Sequence, residues 1–210
     1  MGQRQIFVMT HDSIGLGEDG PTHQPVEHMA SLRAMPNLLT MRPCDAIETA
    51  ECWEVALQQK DRPSVLALSR QGVPTLCEGN TENLSAKGGY VLMKEDAPLQ
   101  AVLIATGTEV SLALEAKAAL EAKGIGARVV SMPCTELFDE QSAEYREDVL
   151  PKGVLKAAIE AAAAYGWERY VGDGPIIAMN SFGASAPANA LYTHFGITSD
   201  ALVAAVDARL

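Results

Sequence analysis

Short apolar runs alternate along this chain with amphipathic segments of helical spacing, and this alternation restricts the fold more than any other feature. Strands that alternate with helices over short turns build parallel sheets whose faces are covered by helices. The pattern therefore predicts an α/β protein with open, mostly parallel sheets and helices on both faces. The apolar runs typical of buried strands are QIFVM (5–9), LLTMRP (38–43), SVLALSR (64–70), AVLIAT (101–106), ARVVSMP (127–133) and PIIAMNSF (175–182).

The segments between these runs have the apolar spacing and the capping residues of helices. Asp45 has the position of an N-cap, and Thr106 and Glu109 have the spacing of a capping box. Gly124 predicts the end of a helix. Helices are therefore predicted over 25–34, 140–148 and 154–165. Three further helices are predicted: one that starts at Asp45, one that ends at Gly124 and one that starts at Ser199.

The alternation weakens near the middle of the sequence, where Gly, Pro, Asn and acidic residues accumulate. We interpret residues 77–87 as a linker because such residues favour turns and loops. One sheet is then expected within residues 1–76 and a second within residues 88–210.

The balance of charge and the lengths of the apolar runs exclude some partners. With 16 basic and 27 acidic side chains, the formal net charge is −11. This charge disfavours binding to nucleic acid, because proteins that bind it present a basic surface. No apolar run approaches the ~18 residues of a membrane span, and the N-terminal run is too short for a signal peptide. We therefore expect a cytoplasmic protein with no membrane partner.

The cysteines show no Cys-x-x-Cys spacing along the sequence. Metal sites and redox pairs that can be recognised from sequence commonly use that spacing. Neither a disulfide framework nor a zinc site is predicted, and reduced thiols are expected. The four cysteines are Cys44, Cys52, Cys77 and Cys134.

Polar and titratable side chains are concentrated in THDSIGLGEDGPTHQP (10–25), directly after the first apolar run. His11, Asp19 and His23 follow the carboxyl end of one predicted strand, and Arg70 ends another. Ligands of open α/β sheets bind outside the carboxyl ends of the strands. Two histidines, a carboxylate and a guanidinium in that position fit a hydroxylated, anionic small molecule.

Two other interpretations of this loop stay open from the residues alone. A segment rich in Gly, Asp and Pro is commonly a solvated turn. His11, Asp12, Asp19 and His23 also offer metal ligands, although no pair has the i, i+4 spacing of a helical zinc motif.

The segment GEDGPTHQP (17–25), followed by Glu27, Ser31 and Arg33, resembles a signature of the transketolase family. The resemblance implies that residues 1–76 are the C-terminal half of a pyrimidine-binding domain. Residues 88–210 would then be a complete transketolase C-terminal domain. Further blocks that look like the family's, in its order, are RPCDAIET, LALSRQ, KGGYVL, IATGTEV, ARVVSMP, YREDVLP and FGASAPA.

This resemblance implies transfer of a two-carbon ketol unit from a ketose phosphate to an aldose phosphate in the pentose phosphate pathway. The family works as a homodimer with thiamine diphosphate and Mg²⁺ or Ca²⁺. By position, His11 is expected near the phosphate side of the sugar, Asp19 at the donor's C2-side hydroxyl and Arg70 at the phosphate. His23 is expected to bind the donor's C1 hydroxyl and carbonyl region as the catalytic residue, since imidazole transfers protons near neutral pH.

The chain departs from the family chiefly in length, because a transketolase is much longer. Gly172-Asp173-Gly174 looks like the start of the family's metal motif, but no asparagine stands at the required distance after it, so a turn is predicted there. We therefore expect a fragment that lacks the N-terminal portion of the same protein. Alone, it should be inactive and should bind neither cofactor nor metal.

Two alternatives to a transketolase fragment stay open. The first is a free-standing, non-catalytic binding or regulatory module derived from a transketolase. The second is an enzyme like deoxyxylulose-phosphate synthase, which shares the cofactor and the D-G-x-T-H core. Its loop does not usually read THDSIGLGEDGPTHQP.

Overall fold

The computed structural model describes residues 2–77, 79 and 81–210. The strands are β1 (Ile6–Thr10), β2 (Leu39–Met41), β3 (Ser64–Leu68), β4 (Tyr90–Met93), β5 (Leu99–Ala105), β6 (Gly126–Ser131), β7 (Leu155–Ala163) and β8 (Ile176–Met179). The helices are α1 (His28–Arg33), α2 (Ala46–Gln58), α3 (Glu109–Glu121), α4 (Thr135–Asp139), α5 (Ala143–Val149), α6 (Glu168–Val171), α7 (Ala188–Phe195) and α8 (Ser199–Asp207). Short 3-10 turns cover Ile14–Leu16 and Ser85–Lys87.

The strands form two open sheets. The first sheet has the order β1–β3–β2 and is parallel throughout. The second has the order β4–β6–β5–β7–β8, in which β4 runs antiparallel to β6 and the other pairs are parallel. These sheets confirm the predicted α/β class with open, mostly parallel sheets.

The second sheet has a buried core on each face, because successive side chains of β5 point to opposite sides. Leu103 packs on one side with Val110 of α3 and Leu202 of α8. Ile104 packs on the other side with Trp167, which precedes α6. Helices therefore cover both faces of this sheet, as the sequence pattern predicts.

Strand β1 forms where an apolar strand is predicted, but its side chains are not buried. The strand lies at the edge of the first sheet and pairs with β3. Phe7, Val8 and Met9 are 40%, 45% and 51% exposed. The prediction of a strand is confirmed and the prediction of its burial is wrong, because no other described element covers this edge.

The segment predicted as a helix over 154–165 is instead the strand β7. Its alanine-rich sequence favours a helix by intrinsic propensity. Ala157, Ala158 and Ile159 are fully buried between β5 and β8. Burial on both faces of a parallel sheet suits a continuous apolar run. Tertiary packing therefore overrides the local preference for a helix.

The two predicted helix caps differ in outcome. Asp45 caps α2, since its Oδ1 accepts a hydrogen bond from the backbone N–H of Glu48 at 2.8 Å. The capping box of Thr106 and Glu109 does not form. The Thr106 hydroxyl instead donates to the carbonyl oxygen of Arg42 at 2.9 Å. A contact between the two sheets thus replaces the predicted local cap.

Most other predicted helices lie near their predicted positions, including α1 within 25–34, α5 near 140–148 and α8 from Ser199. The elements β4 and α7 are not indicated by the sequence pattern. The tripeptide 172–174 lies in the predicted turn, between α6 and β8. Within the described residues, no helix has both the length and the apolar character needed to cross a bilayer.

Candidate active site

The carboxyl ends of β1 and β3 lie side by side, because the strands are parallel and Thr10 pairs with Leu68. His11 directly follows β1, and Arg70 follows β3 by two residues. Arg70 is exposed. The structure therefore places His11 and Arg70 at the same edge of the first sheet, where ligands of open α/β sheets bind.

His11, Asp19 and His23 come together on the loop after β1. The Nε2 of His11 lies 3.4 Å from the Oδ2 of Asp19. The ring centroids of His11 and His23 are 6.2 Å apart. The side chains of His11 and Asp19 are 32% and 45% exposed. These three residues, which we call the histidine cluster, therefore present their polar groups to solvent.

Each histidine of the cluster lies beside the hydroxyl of the preceding threonine. The Oγ1 of Thr10 lies 2.8 Å from the Nδ1 of His11, and the Oγ1 of Thr22 lies 3.0 Å from the Nδ1 of His23. A hydroxyl at Nδ1 leaves Nε2 as the nitrogen available to other partners, which for His11 include the carboxylate of Asp19. His11 also has a φ of 65°. Such a left-handed conformation is uncommon outside glycine and occurs preferentially at functional sites.

Asp12 points away from the histidine cluster and into the protein. Its Oδ2 accepts a hydrogen bond from the Nε of Arg42 at 2.8 Å, and both side chains are buried. Burial raises the pKa of Asp12, although Arg42 opposes the shift. Asp12 therefore does not face the same ligand as His11, Asp19 and His23. In the described part of the chain, these four side chains do not gather into a metal-ligand group.

Arg42 connects the two sheets. It directly follows β2, and its Nη1 donates to the carboxylate of Glu109 and to the carbonyl oxygen of Thr106. The same Nη1 lies 3.6 Å from Glu160 of β7. Burial alone would lower the pKa of Arg42, but Glu109, Asp12 and Glu160 outweigh it and raise that pKa well above its usual value. Arg42 is therefore a charged side chain held entirely within the protein.

Gly107 allows the backbone before α3 to approach this guanidinium. A Cβ at Gly107 would lie 2.7 Å from the Cζ of Arg42. The residue also has a φ of 57°, which glycine adopts without strain. A side chain at this position would displace Arg42.

Glu160 is the second buried link between the sheets. Arg33 of α1 donates to both of its carboxylate oxygens, at 2.8 and 2.9 Å, and the indole N–H of Trp167 donates at 2.7 Å. Burial would raise the pKa of Glu160, but Arg33 and Arg42 lower it below the usual value. At this junction, two guanidinium groups (Arg33 and Arg42) pair with three carboxylates (Asp12, Glu109 and Glu160).

Residues from the half of the chain that contains the second sheet also contact the loop that carries the histidine cluster. The backbone N–H of Gly20 donates to the hydroxyl of Ser185 at 3.0 Å. The hydroxyl of Tyr192 on α7 donates to Glu109 at 2.6 Å. A Cβ at Gly15 would lie 3.1 Å from that hydroxyl oxygen. The loop is therefore packed against α7 and the segment that precedes it.

Two family models match the chain over most of its length. Residues 1–75 match the pyrimidine binding domain of transketolase, and residues 88–198 match the transketolase-like C-terminal domain. This chain belongs to the transketolase family. The histidine cluster therefore lies in a transketolase pyrimidine-binding domain and is supported by a transketolase C-terminal domain.

Curated transketolases are similar along the whole chain. The chain is 54% identical to the transketolase of Rhodobacter capsulatus, with 100% of the chain and 32% of that relative covered. It is 52% identical to transketolase 1 of Escherichia coli K12, with 97% of the chain and 31% of that relative covered. The chain thus spans about a third of the length of the curated transketolases it matches.

Solved transketolases have the same fold over the matched region. The transketolase from Leishmania mexicana superposes with a TM-score of 0.93 at 48% identity and covers 99% of this chain and 30% of its own length. The transketolase of Pichia stipitis in complex with sedoheptulose-7-phosphate gives a TM-score of 0.89 at 43% identity, covering 95% and 29%.

The sequence pattern of this transketolase chain indicates the histidine cluster but not the buried ion pairs beneath it. Arg42 and Asp12 are spaced widely from Glu109 and Glu160, so no local motif joins them. The sequence feature that could have indicated these ion pairs is a charged residue directly after a buried strand, as at Arg42 after β2. Such a residue needs a buried partner, because an unpaired charge is costly in the interior.

Proposed function

We propose that this chain is the C-terminal portion of a transketolase that transfers a two-carbon ketol unit from a ketose phosphate to an aldose phosphate. The observation that carries the proposal is the exposed histidine cluster at the same sheet edge as Arg70. The Pichia stipitis transketolase has been crystallised with sedoheptulose-7-phosphate, and mutants of it with fructose-6-phosphate and xylulose-5-phosphate. Such compounds carry the hydroxyls and the phosphate that these side chains would recognise.

Arg70 and His11 are assigned to the phosphate side of the sugar. A guanidinium binds phosphate through two parallel, charge-assisted hydrogen bonds. His11, whose Nε2 faces Asp19, would contact the phosphate or its neighbouring hydroxyls. Asp19 can only accept hydrogen bonds when ionised, so it suits the C2-side hydroxyl of the donor and would help to select the donor's stereochemistry.

His23 is assigned to the reacting end of the donor, at its C1 hydroxyl and carbonyl. The hydroxyl of Thr22 at Nδ1 leaves Nε2 to donate or accept a proton there. Proton transfer by a positioned imidazole is effective near neutral pH. His23 is therefore the residue of this chain that we assign to catalysis.

The residues of this chain do not by themselves fit the diphosphate end of the cofactor that the family implies. A divalent ion on a diphosphate needs oxygen ligands such as carboxylates and amides. In the turn at 172–174, the Asp173 side chain pairs with Arg209. We assign thiamine diphosphate and its Mg²⁺ or Ca²⁺ to the part of the protein outside this chain. The chain alone is then inactive, and the complete enzyme is a cytoplasmic homodimer.

A chimera tests this proposal. The N-terminal portion of the Rhodobacter capsulatus transketolase that this chain does not match is fused to residues 2–210. The fusion should transfer a ketol unit from xylulose-5-phosphate to an aldose phosphate, whereas the chain alone should not. The His23→Ala chimera is the matched control and should bind the cofactor with little transfer. A folded chimera that binds thiamine diphosphate but transfers nothing contradicts the proposal.

A further inference from the structure

Cys44, Glu48 and Cys77 bring two thiols and a carboxylate together in the interior, away from the histidine cluster. All three side chains are buried. One ligand atom from each residue lies within 4.8 Å of the others. Among the described residues, no other set of three His, Cys, Asp or Glu side chains converges in this way. The proposed ketol transfer uses none of these residues.

We propose that Cys44, Glu48 and Cys77 bind a Zn²⁺ ion. Tetrahedral zinc bonds thiolate sulfur at about 2.3 Å, which sets two sulfur ligands about 3.8 Å apart. The Sγ atoms of Cys44 and Cys77 are 3.7 Å apart. Zinc also accepts carboxylate oxygen and is selected by soft thiolate ligands. The two sulfurs thus already have the spacing of zinc ligands, and a carboxylate oxygen of Glu48 lies within 4.8 Å of both.

Neighbouring donors hold the carboxylate of Glu48 in place. The backbone N–H of Cys44 donates to its Oε2 at 2.7 Å. The hydroxyls of Tyr90 and Ser131 donate to its Oε1, at 2.7 and 2.5 Å. Hydrogen bonds of this kind orient ligating carboxylates and strengthen metal binding. Each Glu48 oxygen is therefore fixed before an ion arrives, and Oε2 keeps a lone pair for it.

The charges and protons of the proposed binding step balance. Two zinc–sulfur bonds form as the thiols of Cys44 and Cys77 release two protons to solvent. One zinc ion, two thiolates and the Glu48 carboxylate leave one negative charge. The donors to Glu48, which are the hydroxyls of Tyr90 and Ser131 and the backbone N–H of Cys44, face that charge.

The proposed ion would fasten the junction between the two matched domains. Cys77 lies just after the residues that match the pyrimidine binding domain, whereas Cys44 directly precedes the N-cap of α2 and Glu48 lies in its first turn. The Oδ2 of Asp45 already accepts hydrogen bonds from the backbone N–H groups of Leu76 and Cys77, at 2.7 and 2.9 Å. An ion bound beside these contacts stabilises the folded chain, since the ligands converge only in the folded state.

The first test uses the whole chain, reduced and stripped of metal with a chelator. Titration with Co²⁺ should give thiolate-to-cobalt charge-transfer absorption that saturates at one equivalent. Ligation by the exposed histidine cluster gives no such absorption, because that cluster has no sulfur. Zn²⁺ should displace the cobalt and raise the melting temperature. Absence of the absorption in the folded chain overturns the proposal.

Variants locate the ion. Cys44→Ser and Cys77→Ser should each weaken Zn²⁺ binding about tenfold or more, and the double variant should lose the absorption. Cys52→Ala is the matched control, since Cys52 is a buried thiol outside the group, and it should bind normally. Persistence of the absorption in a folded double variant contradicts the assignment.

A measurement on the unmodified chain keeps the proposal testable if the double variant does not fold. In mild denaturant, Zn²⁺ should slow alkylation of Cys44 and Cys77 relative to Cys52 and Cys134, as read from labelled peptides. Equal rates for the four thiols, with and without Zn²⁺, overturn the proposal.

Discussion

Arg33 and Glu160 form a two-point ion pair across the junction of the two sheets, with nitrogen–oxygen distances of 2.8 and 2.9 Å. The Glu160 side chain is fully buried, and that of Arg33 is 11% exposed. A carboxylate paired so closely in the interior makes the stability of the chain depend on pH.

We expect acid to destabilise the chain through Glu160. Burial opposes ionisation, but Arg33 and Arg42 outweigh it and hold the folded pKa below the usual 4.5. The contribution of Glu160 to the free energy of unfolding is therefore fully present above the unfolded pKa. It is lost as the pH falls through the lower folded pKa. Urea unfolding from about pH 6 to about pH 3 measures this loss.

Glu160→Gln is the control for that experiment. The variant should be less stable at neutral pH and should lose less stability on acidification. The comparison also separates Glu160 from Asp12. Burial raises the pKa of Asp12, so the stability that Asp12 contributes falls as the pH rises. An unchanged dependence on pH in the variant would show that other carboxylates are responsible.

Replacement of Arg42 by methionine should destabilise the chain by about 3–5 kcal/mol, because it leaves buried carboxylates without their shared cation. Arg62→Met is the matched control. Arg62 pairs with Glu140, whose side chain is 51% exposed, so its loss should cost less than about 1 kcal/mol. Denaturant titrations of both variants give the two values. Similar losses would argue against Arg42 as the central link between the sheets.

Gly107→Ala should destabilise the chain more than Gly124→Ala. Both glycines have positive φ, at 57° and 79°, so both substitutions carry the backbone cost of about 1–2 kcal/mol. A Cβ at Gly107 also overlaps the Arg42 guanidinium, whereas nothing lies within 4 Å of a Cβ at Gly124. Thermal unfolding of the two variants isolates the cost of the overlap. Equal melting temperatures would contradict the close approach.

In the chimeric enzyme, Arg70→Ala should raise the KM for phosphorylated donors and leave kcat nearly unchanged. Loss of a charge-assisted hydrogen bond of roughly 1.5–3 kcal/mol corresponds to about 10- to 150-fold in binding. His23→Ala should instead lower kcat for phosphorylated donors and for hydroxypyruvate alike. Steady-state kinetics with both donors distinguishes the residues. If Arg70→Ala impairs hydroxypyruvate as strongly as the ketose phosphate, Arg70 is not the phosphate ligand.

The exposed edge strand β1 should make the chain self-associate, because Phe7 and Met9 are 40% and 51% exposed on a strand with a free pairing edge. Phe7→Lys combined with Met9→Lys should lower the association constant in sedimentation experiments. Leu210→Lys is the control, since Leu210 is 55% exposed after α8, in the half of the chain that contains the second sheet. Equal effects of the two changes would point to general surface hydrophobicity.

The amino-acid sequence by itself determined the α/β class, the family and six strands, which are β1, β2, β3, β5, β6 and β8. These depend on local signals: apolar runs, turn residues and a continuous signature over 17–25. Asp19 and His23 lie within this signature, and His11 could be grouped with them because it lies on the same loop after β1. Arg70 could be added because strand ends of parallel sheets share an edge.

Only the tertiary structure decided what depends on packing between distant segments. The alanine-rich run at 155–163 became a strand because two neighbouring strands bury it. The Thr106 hydroxyl donates to the carbonyl oxygen of Arg42, 64 residues away, instead of forming the predicted capping box. Cys44 and Cys77 are 33 residues apart and show no metal-binding spacing, yet their sulfurs lie 3.7 Å apart. Such contacts arise from how distant segments pack in three dimensions, and the spacing of residues along a chain does not encode those distances.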